Sequence, residues 1–321
     1  MSVLASMKAR LRQFKPAWAA YNMLHYRKLS RNADLYRRFG IRRSVVAPIA
    51  HRDITRPSDE IPWLDRPNAG AALAAHEELD SFPPAIRQSL KGWVENGYVI
   101  LERYLSEERV DSINSEVESL FEQGEIAFHF RDNRIMNSFR KSAKVAEAAK
   151  DPELMRLLSF LLGREVVLFQ TINFFEGSQQ PPHSDSFHMT TEPMGYLIAI
   201  WVALEDVSPE SGPVFYYPGT HTLDYVMKEH LEQEDGSLEA AGKSDREYED
   251  KIAEVVAATG IQPVDFLAKK GDVLIWHANL IHGGKPIARE GLTRKSLVAH
   301  YFGKGVLCYH EVTERPALVE S

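Results

Sequence analysis

Cysteine is almost absent: Cys308 is the only one in 321 residues. No intramolecular disulfide can form, which sets aside the disulfide-stapled secreted scaffolds and fits a reducing compartment or indifference to redox state. Long apolar runs are absent too. No stretch reaches the roughly 18 residues that a spanning helix needs. The N-terminus also lacks the apolar segment of about 7–15 residues that marks a secretory signal, so a cytoplasmic protein is expected.

Acidic residues are scarce in one place only. Residues 1–56 hold 13 Lys/Arg against Asp34 and Asp53, a net of +11, so the chain's net charge of −7 leaves −18 on the other 265 residues. A basic arm on an acidic body suggests an anionic partner for the arm. No nucleic-acid partner is expected. Within the arm, Phe14, Trp18, Tyr21, Tyr26, Tyr36 and Phe39 alternate with the charges, and Pro16 breaks the run. One or two amphipathic helices follow from that pattern. They would lie on an anionic membrane surface, peripherally at the inner membrane, or pack on the protein's own body. Pro57, Pro62, Pro67 and Gly70 mark a linker over 57–80, and the body runs from 81 to 321.

The hydrophobic (44%) and charged (26%) fractions of the whole chain are those of an ordinary globular protein. Pro83–Pro84 opens a helix that Gly97 closes, YVIL is a short strand, and Ser106 caps a second helix with Glu107 and Glu108 in its first turn. Asp151–Pro152–Glu153 starts another helix, which stops at Gly163. Beyond Gly163 the pattern changes. EVVLFQTINFF, YLIAIWVAL, GPVFYYPG, DVLIWHANLIH and SLVAHYFG are short runs rich in Val, Ile and aromatics, separated by Gly, Pro, Ser and Asp. Strands after helices, without β–α alternation, favour an antiparallel sandwich or barrel. An insertion at about 222–262 is acidic, helical near DREYEDKIAEVVAA, and a candidate lid or partner surface.

Chemistry concentrates in PPHSDSFHM, residues 181–189. His183 and Asp185 are two apart, which on an extended chain puts an imidazole and a carboxylate on one face. That is two thirds of a facial triad, in which two His and one carboxylate hold Fe(II) and leave three positions open. The third ligand must come from elsewhere. His188 is an odd number of residues from Asp185, so in a continuing strand it faces away. His221 follows the turn Pro218–Gly219–Thr220, and His277 lies inside an apolar run. His282 follows a strand and precedes Gly283–Gly284, where a side chain can point into a cavity. Arg294, entering the next strand, offers a fork for a carboxylate or stands as an edge-strand surface arginine.

Four separated motifs carry a family resemblance: VENGYVILERYLSEERVDSI, TINFFEG…PPHSDSFH, SGPVFYYPGTHT, and GDVLIWHANLIHGG…TRKSLVAHYF. In this order and spacing, over roughly 90–303, the chain resembles the phytanoyl-CoA dioxygenase family of Fe(II)/2-oxoglutarate-dependent oxygenases. The resemblance implies a mainly β fold with flanking helices, a double-stranded β-helix or jelly roll. It assigns His183, Asp185 and His282 to iron and Arg294 to the far carboxylate of 2-oxoglutarate. It also implies that Asn173 and Gln170 point toward that co-substrate. Relatives that halogenate carry a small residue where Asp185 stands, so hydroxylation with O₂ is the implied reaction, coupled to decarboxylation of 2-oxoglutarate.

Substrate contacts are expected from His188 and Trp201, and from Arg131, Asn137 and Arg140 in FHFRDNRIMNSFRK, a polar, basic entrance suited to an anionic, small or carrier-linked metabolite. The same chemistry on a membrane-associated lipid-linked saccharide or acyl chain, with the arm as anchor, is a second reading. A non-catalytic binding module that kept the fold is a third. Zinc-assisted hydrolysis is a fourth, and it leaves Arg294 without a role.

Overall fold

Pro84 occupies the first turn of the helix Pro84–Asn96, where its missing N–H costs nothing, and Gly97 ends it in the left-handed region at φ 78°. The Ser106 side chain accepts from the Arg109 amide to open Glu107–Glu122. Asp151 does the same for the Leu154 amide ahead of Pro152–Leu162. These helices fall where the sequence puts them. The computed structural model describes residues 21–129, 133–227, 231, 240–311 and 313–318, with backbone alone at 240–245.

Thirteen strands occur among the described residues: β1 Tyr98–Leu101, β2 Phe128–His129, β3 Arg134–Met136, β4 Val166–Phe174, β5 Thr190–Glu192, β6 Leu197–Ala203, β7 Val214–Tyr216, β8 Val264–Phe266, β9 Val273–His277, β10 His282–Gly284, β11 Ser296–Gly303, β12 Leu307–His310 and β13 Arg315–Pro316. Seven form one antiparallel sheet in the order β1-β9-β6-β11-β4-β3-β2. A smaller sheet, β10-β7-β8, contributes to the same inner core, and a third, β13-β12-β5, completes the set. The central neighbours β1-β9-β6-β11-β4 are all non-consecutive in sequence, as in a jelly roll.

Alternation along the strands builds two cores. Ala199, Trp201, Leu274, Trp276 and Val298 of the large sheet meet Val214, Tyr216 and Phe266 of the small one. The residues between them, Ile200, Val202, Ile275, Leu297 and Ala299, turn outward onto a layer of helices carrying Leu90, Trp93, Val110, Ile113, Leu157 and Leu158. Burial on both faces explains why β6 reads as an unbroken apolar run rather than an alternating one.

DVLIWHANLIH does not form one strand. It leaves the large sheet at His277, makes a turn closed by the Leu280 amide on the His277 carbonyl at 2.9 Å, and enters the small sheet at His282. The switch is held by Asn279, whose side-chain amide donates to the carbonyls of His221 and Leu223 at 3.2 and 2.7 Å. A side chain that bonds the backbone in this way ends a strand that apolar content alone would continue.

The described part of the basic arm packs on the body. Tyr36, Phe39, Ile41, Ile49 and Ile54 form a core with Leu307 and Tyr309 of β12. Arg52 pairs with the nearly buried Glu314 at 2.6 Å. Tyr21, Met23, Leu24 and Tyr26 remain exposed. Residues 1–20 of the arm lie outside the described residues. The segment 57–80 is likewise packed rather than slung between units. The Trp63 indole donates to the Phe160 carbonyl at 2.7 Å, and Asp65 meets His277 at 3.1 Å.

The insertion does carry a helix, Ala240–Thr259. None of its described side chains lines the cavity described below. Tyr248 and Ile252 instead form a small core with Phe187 and Ile281, behind the PPHSDSFHM loop. Among the described residues no helix is long and apolar enough to cross a membrane.

Candidate active site

His183 and His282 are brought together by the backbone before any side chain is considered. The His183 amide donates to the His282 carbonyl and the His282 amide to the His183 carbonyl, both at 2.9 Å. One residue on, the extended chain gives way to the single helical turn Asp185–His188. The Ser186 amide, on the Ala278 carbonyl at 3.0 Å, ties that turn to the opposite segment.

One ligand atom from each of His183, Asp185 and His282 lies within 4.8 Å of the others, and all three residues are buried. Asp185 Oδ1 stands 3.9 Å from His183 Nε2 and 3.8 Å from His282 Nε2. Two donors at right angles on one ion, each about 2.1 Å away, would be roughly 3 Å apart, so each carboxylate–imidazole pair stands within an ångström of that spacing. The tautomers suit that purpose. His183 Nδ1 donates to the Pro181 carbonyl at 2.8 Å and His282 Nδ1 to the Leu280 carbonyl at 2.9 Å, which leaves each Nε2 lone pair free for a metal.

Asp185 Oδ2 is occupied from behind. The Trp276 indole donates to it at 2.8 Å, and His300 Nε2 lies 3.5 Å away. Burial alone would raise the Asp185 carboxyl, but the imidazoles of His282, His300 and His183 hold it well below the usual carboxylate range. Burial, reinforced by His282, keeps His183 well below the usual histidine range. An ionised carboxylate beside a neutral imidazole is the donor chemistry that a divalent cation requires.

Arg294 is 1% exposed, with the face of Trp201 5.6 Å from its guanidinium carbon. It lies just ahead of β11, an interior strand between β6 and β4, so it is not an edge-strand surface residue. Its Nη1 donates to the Gly212 carbonyl at 2.9 Å, its Nε has no partner, and no carboxylate pairs with it among the described residues. Burial pulls it down to about 10, which still leaves it cationic at neutral pH. A buried guanidinium without a counter-ion is an open seat for an anion.

Both features face one cavity of about 550 Å³. Four arginines and six histidines line it among the described residues, against one carboxylate, Asp185. Gln170, His188, Asn137, Arg140 and Trp201 all stand on its wall. Asn173 does not. Gln170, Ile172 and Phe174 turn inward along β4, and residues three apart on one strand cannot share a face. Asn173 faces outward, where its Oδ1 accepts from the Ser138 hydroxyl. Arg131 lies outside the described residues.

His188 has a different setting from the one that strand parity gives it. The chain is helical from Asp185, so His188 comes back alongside, its ring 5.7 Å from that of His183, and it lines the cavity without joining the ligand group. His277 bonds Asp65 and is a packing residue, and His221 lies 5.6 Å from it, ring to ring. His300 was missed by sequence reasoning. It receives Gln170 Nε2 at Nδ1 (3.4 Å) and reaches Asp185 through Nε2, linking Gln170 to the carboxylate. The signal was available: 294, 296, 298 and 300 alternate, and Arg294, Val298 and His300 all line the cavity.

Solved structures with this fold define the class. EctD from S. alaskensis, in structures with bound Fe and with 2-oxoglutarate and 5-hydroxyectoine, superimposes with a TM-score of 0.53 and 20–21% sequence identity, covering 68% of this chain and 75–76% of that one. The fold is therefore the cupin-like jelly roll of those structures. Among curated proteins, the ectoine dioxygenase of Nocardia farcinica is 27% identical over 255 residues, 70% of this chain and 82% of its own length. Phytanoyl-CoA dioxygenase domain-containing protein 1 of Danio rerio is 28% identical over 122 residues, 36% of this chain and 38% of that protein. The model of the phytanoyl-CoA dioxygenase (PhyH) family matches residues 93–296, and the chain belongs to that family. Its members are Fe(II)- and 2-oxoglutarate-dependent dioxygenases.

Proposed function

We propose that the protein hydroxylates an unactivated C–H bond of a small or carrier-linked anionic metabolite, with decarboxylation of 2-oxoglutarate to succinate and CO₂. One observation carries this reading: three convergent ligand atoms and a buried guanidinium without a counter-ion face the same cavity. In this reading His183 Nε2, Asp185 Oδ1 and His282 Nε2 hold Fe(II). With 2-oxoglutarate and O₂ bound, the iron supplies the oxidising power for C–H cleavage. Arg294 anchors the co-substrate's far carboxylate by a charge-assisted fork, and Trp201 shapes the wall beneath that guanidinium. Gln170 holds His300, and His300 with Trp276 holds Asp185. Asn173 supports the outer side of β4 through Ser138 rather than touching the co-substrate.

Substrate charge follows from the remaining lining. With Arg294 assigned to the co-substrate, Arg134, Arg140 and Arg315 also line the cavity, where Asp185 is the one carboxylate among the described residues. An anionic group there meets an attractive field in a partly desolvated site. Asn137 and His188 complete the contacts expected for the substrate, and Arg131 belongs to the same basic stretch. The test is anaerobic addition of Fe(II) and 2-oxoglutarate, which should give a weak visible charge-transfer band, followed by succinate release in air. No band and no succinate would favour a binding module that retained the fold.

A second reading draws on the cavity mouth. Tyr21 and Asn22 line the cavity, while Met23, Leu24 and Tyr26 next to them are exposed beside Arg27. Apolar and basic side chains at an entrance suit a substrate taken from an anionic lipid surface. Co-sedimentation with anionic vesicles should then fall when Met23→Glu and Leu24→Glu are combined in the full chain, and binding equal to wild type would remove this reading.

A further inference from the structure

The insertion makes its tightest contact at the residue between two of the candidate ligands. Tyr248, on the helix Ala240–Thr259, is 2% exposed. Its hydroxyl accepts from the Ser184 amide at 2.7 Å and lies 3.1 Å from the Ser184 hydroxyl. Its ring stacks on Phe187 with centroids 3.6 Å apart and planes 9° from parallel. Ser184 separates His183 from Asp185, and Phe187 sits in the helical turn that Asp185 opens. One side chain therefore grips both ends of the short arc that presents the two ligands.

The grip comes from behind. None of the described side chains of this helix lines the cavity, so Tyr248 acts on the loop from outside it. Its hydroxyl is the acceptor of the buried Ser184 amide. Removing it leaves a donor unsatisfied, and the cheapest relief is for the arc to rotate until that N–H finds water or a carbonyl. Such a rotation moves His183 and Asp185 relative to each other, and metal sites tolerate only about 0.5 Å of such displacement.

We infer that Tyr248 is a positioning residue for the metal site: through the Ser184 amide and the Phe187 ring it sets the spacing of His183 and Asp185, and so ties metal affinity to the insertion. The inference rests on the metal-site reading above. It gives the insertion a task that a solvated loop or a lid would not have.

Tyr248→Phe in the full chain is the test, because it keeps the stack on Phe187 and removes only the hydroxyl. Metal-free protein is titrated anaerobically with Fe(II), and separately with Co(II), whose visible bands report ligand geometry without turnover. The expected result is Fe(II) and Co(II) affinity lowered about tenfold to a hundredfold, the usual effect of losing a partner that orients a ligand. The 2-oxoglutarate requirement at saturating iron should stay within about twofold, since Arg294 approaches from the Gly212 side. Affinities within about twofold of wild type overturn the inference, and so does a lower Tm with unchanged metal affinity, which marks a merely structural contact. Should the variant fail to fold, amide exchange of the metal-free wild type decides. Strong protection at Ser184 supports the grip, and exchange at open-loop rates overturns it. A wild type that binds neither metal would instead sink the metal-site reading, and the Ser184 measurement would still report on the contact.

Discussion

His183 and His282 face each other as a backbone pair, each amide on the other's carbonyl at 2.9 Å, while both imidazoles turn Nε2 toward Asp185 Oδ1. The pairing makes the spacing of two ligands a property of the main chain. Their ring centroids are 4.4 Å apart. Anything that pries the two segments apart should therefore cost metal before it costs fold.

Gly283 offers a direct way to do so. A Cβ there would come 2.6 Å from the Phe215 ring and 2.8 Å from the Gln180 carbonyl, and the backbone contact cannot yield cheaply. Gly283→Ala is expected to displace His282 and lower Fe(II) affinity by an order of magnitude or more, read by anaerobic titration, with the far-UV spectrum unchanged.

The oxygen of Asp185 turned away from His183 and His282 is held by Trp276, with His300 3.5 Å off. Trp276→Phe keeps most of the ring volume and removes the donor. Metal affinity should drop about tenfold to a hundredfold, whereas Asp185→Ala should abolish both metal binding and turnover. Equal affinity in Trp276→Phe and wild type would show that the indole is packing alone.

Arg294→Ala should raise the 2-oxoglutarate requirement with little effect on Fe(II) binding. A hydrogen bond to a charged group contributes about 1.5–3 kcal/mol, or roughly 10- to 150-fold in apparent affinity. The readout is the 2-oxoglutarate dependence of the charge-transfer band, which separates the anchor from the metal.

His188 and His282 should part company under mutation. His188→Ala is expected to keep iron and continue 2-oxoglutarate decarboxylation uncoupled from substrate, while His282→Ala loses iron. Succinate release without substrate, measured for both, is the check. The reverse pattern would make His188 the ligand.

His221 supplies a pH dependence remote from the metal. Burial, with a smaller contribution from His277, pulls it down to about 4 from an ordinary 6.5. The unfolded chain then binds the extra proton between those values, so stability is complete above about pH 6.5 and falls as the pH drops toward 4. The whole loss is roughly 3 kcal/mol at 1.36 kcal/mol per unit. His221→Gln should flatten that part of the curve, seen in urea midpoints at pH 7 and pH 5.

The main strands and the His-x-Asp pair were readable because both rest on local spacing. Val166–Phe174, Leu197–Ala203 and Ser296–Gly303 are apolar runs with turn residues at their ends, and the helices announce themselves by Ser106, Asp151 and Gly163. Other features depend on partners remote in sequence. DVLIWHANLIH changes sheets because Asn279 bonds carbonyls more than fifty residues earlier, and no local pattern shows that. Asn173 was expected to turn inward with Gln170, although the period-two rule excludes both. The short strands β5, β12 and β13 pair only through the third sheet and carry little signal of their own. His188 escaped a parity argument because the strand becomes a helical turn at Asp185.

Trp276 has one more consequence. Its ring centre is 4.9 Å from that of His282 and its indole N–H is bonded to Asp185, so it is an emitter at contact distance from the metal position. The chain has five tryptophans, and the difference between wild type and Trp276→Phe isolates this one. Paramagnetic ions arriving at the triad should quench its fluorescence, which gives occupancy a native optical signal that needs no turnover.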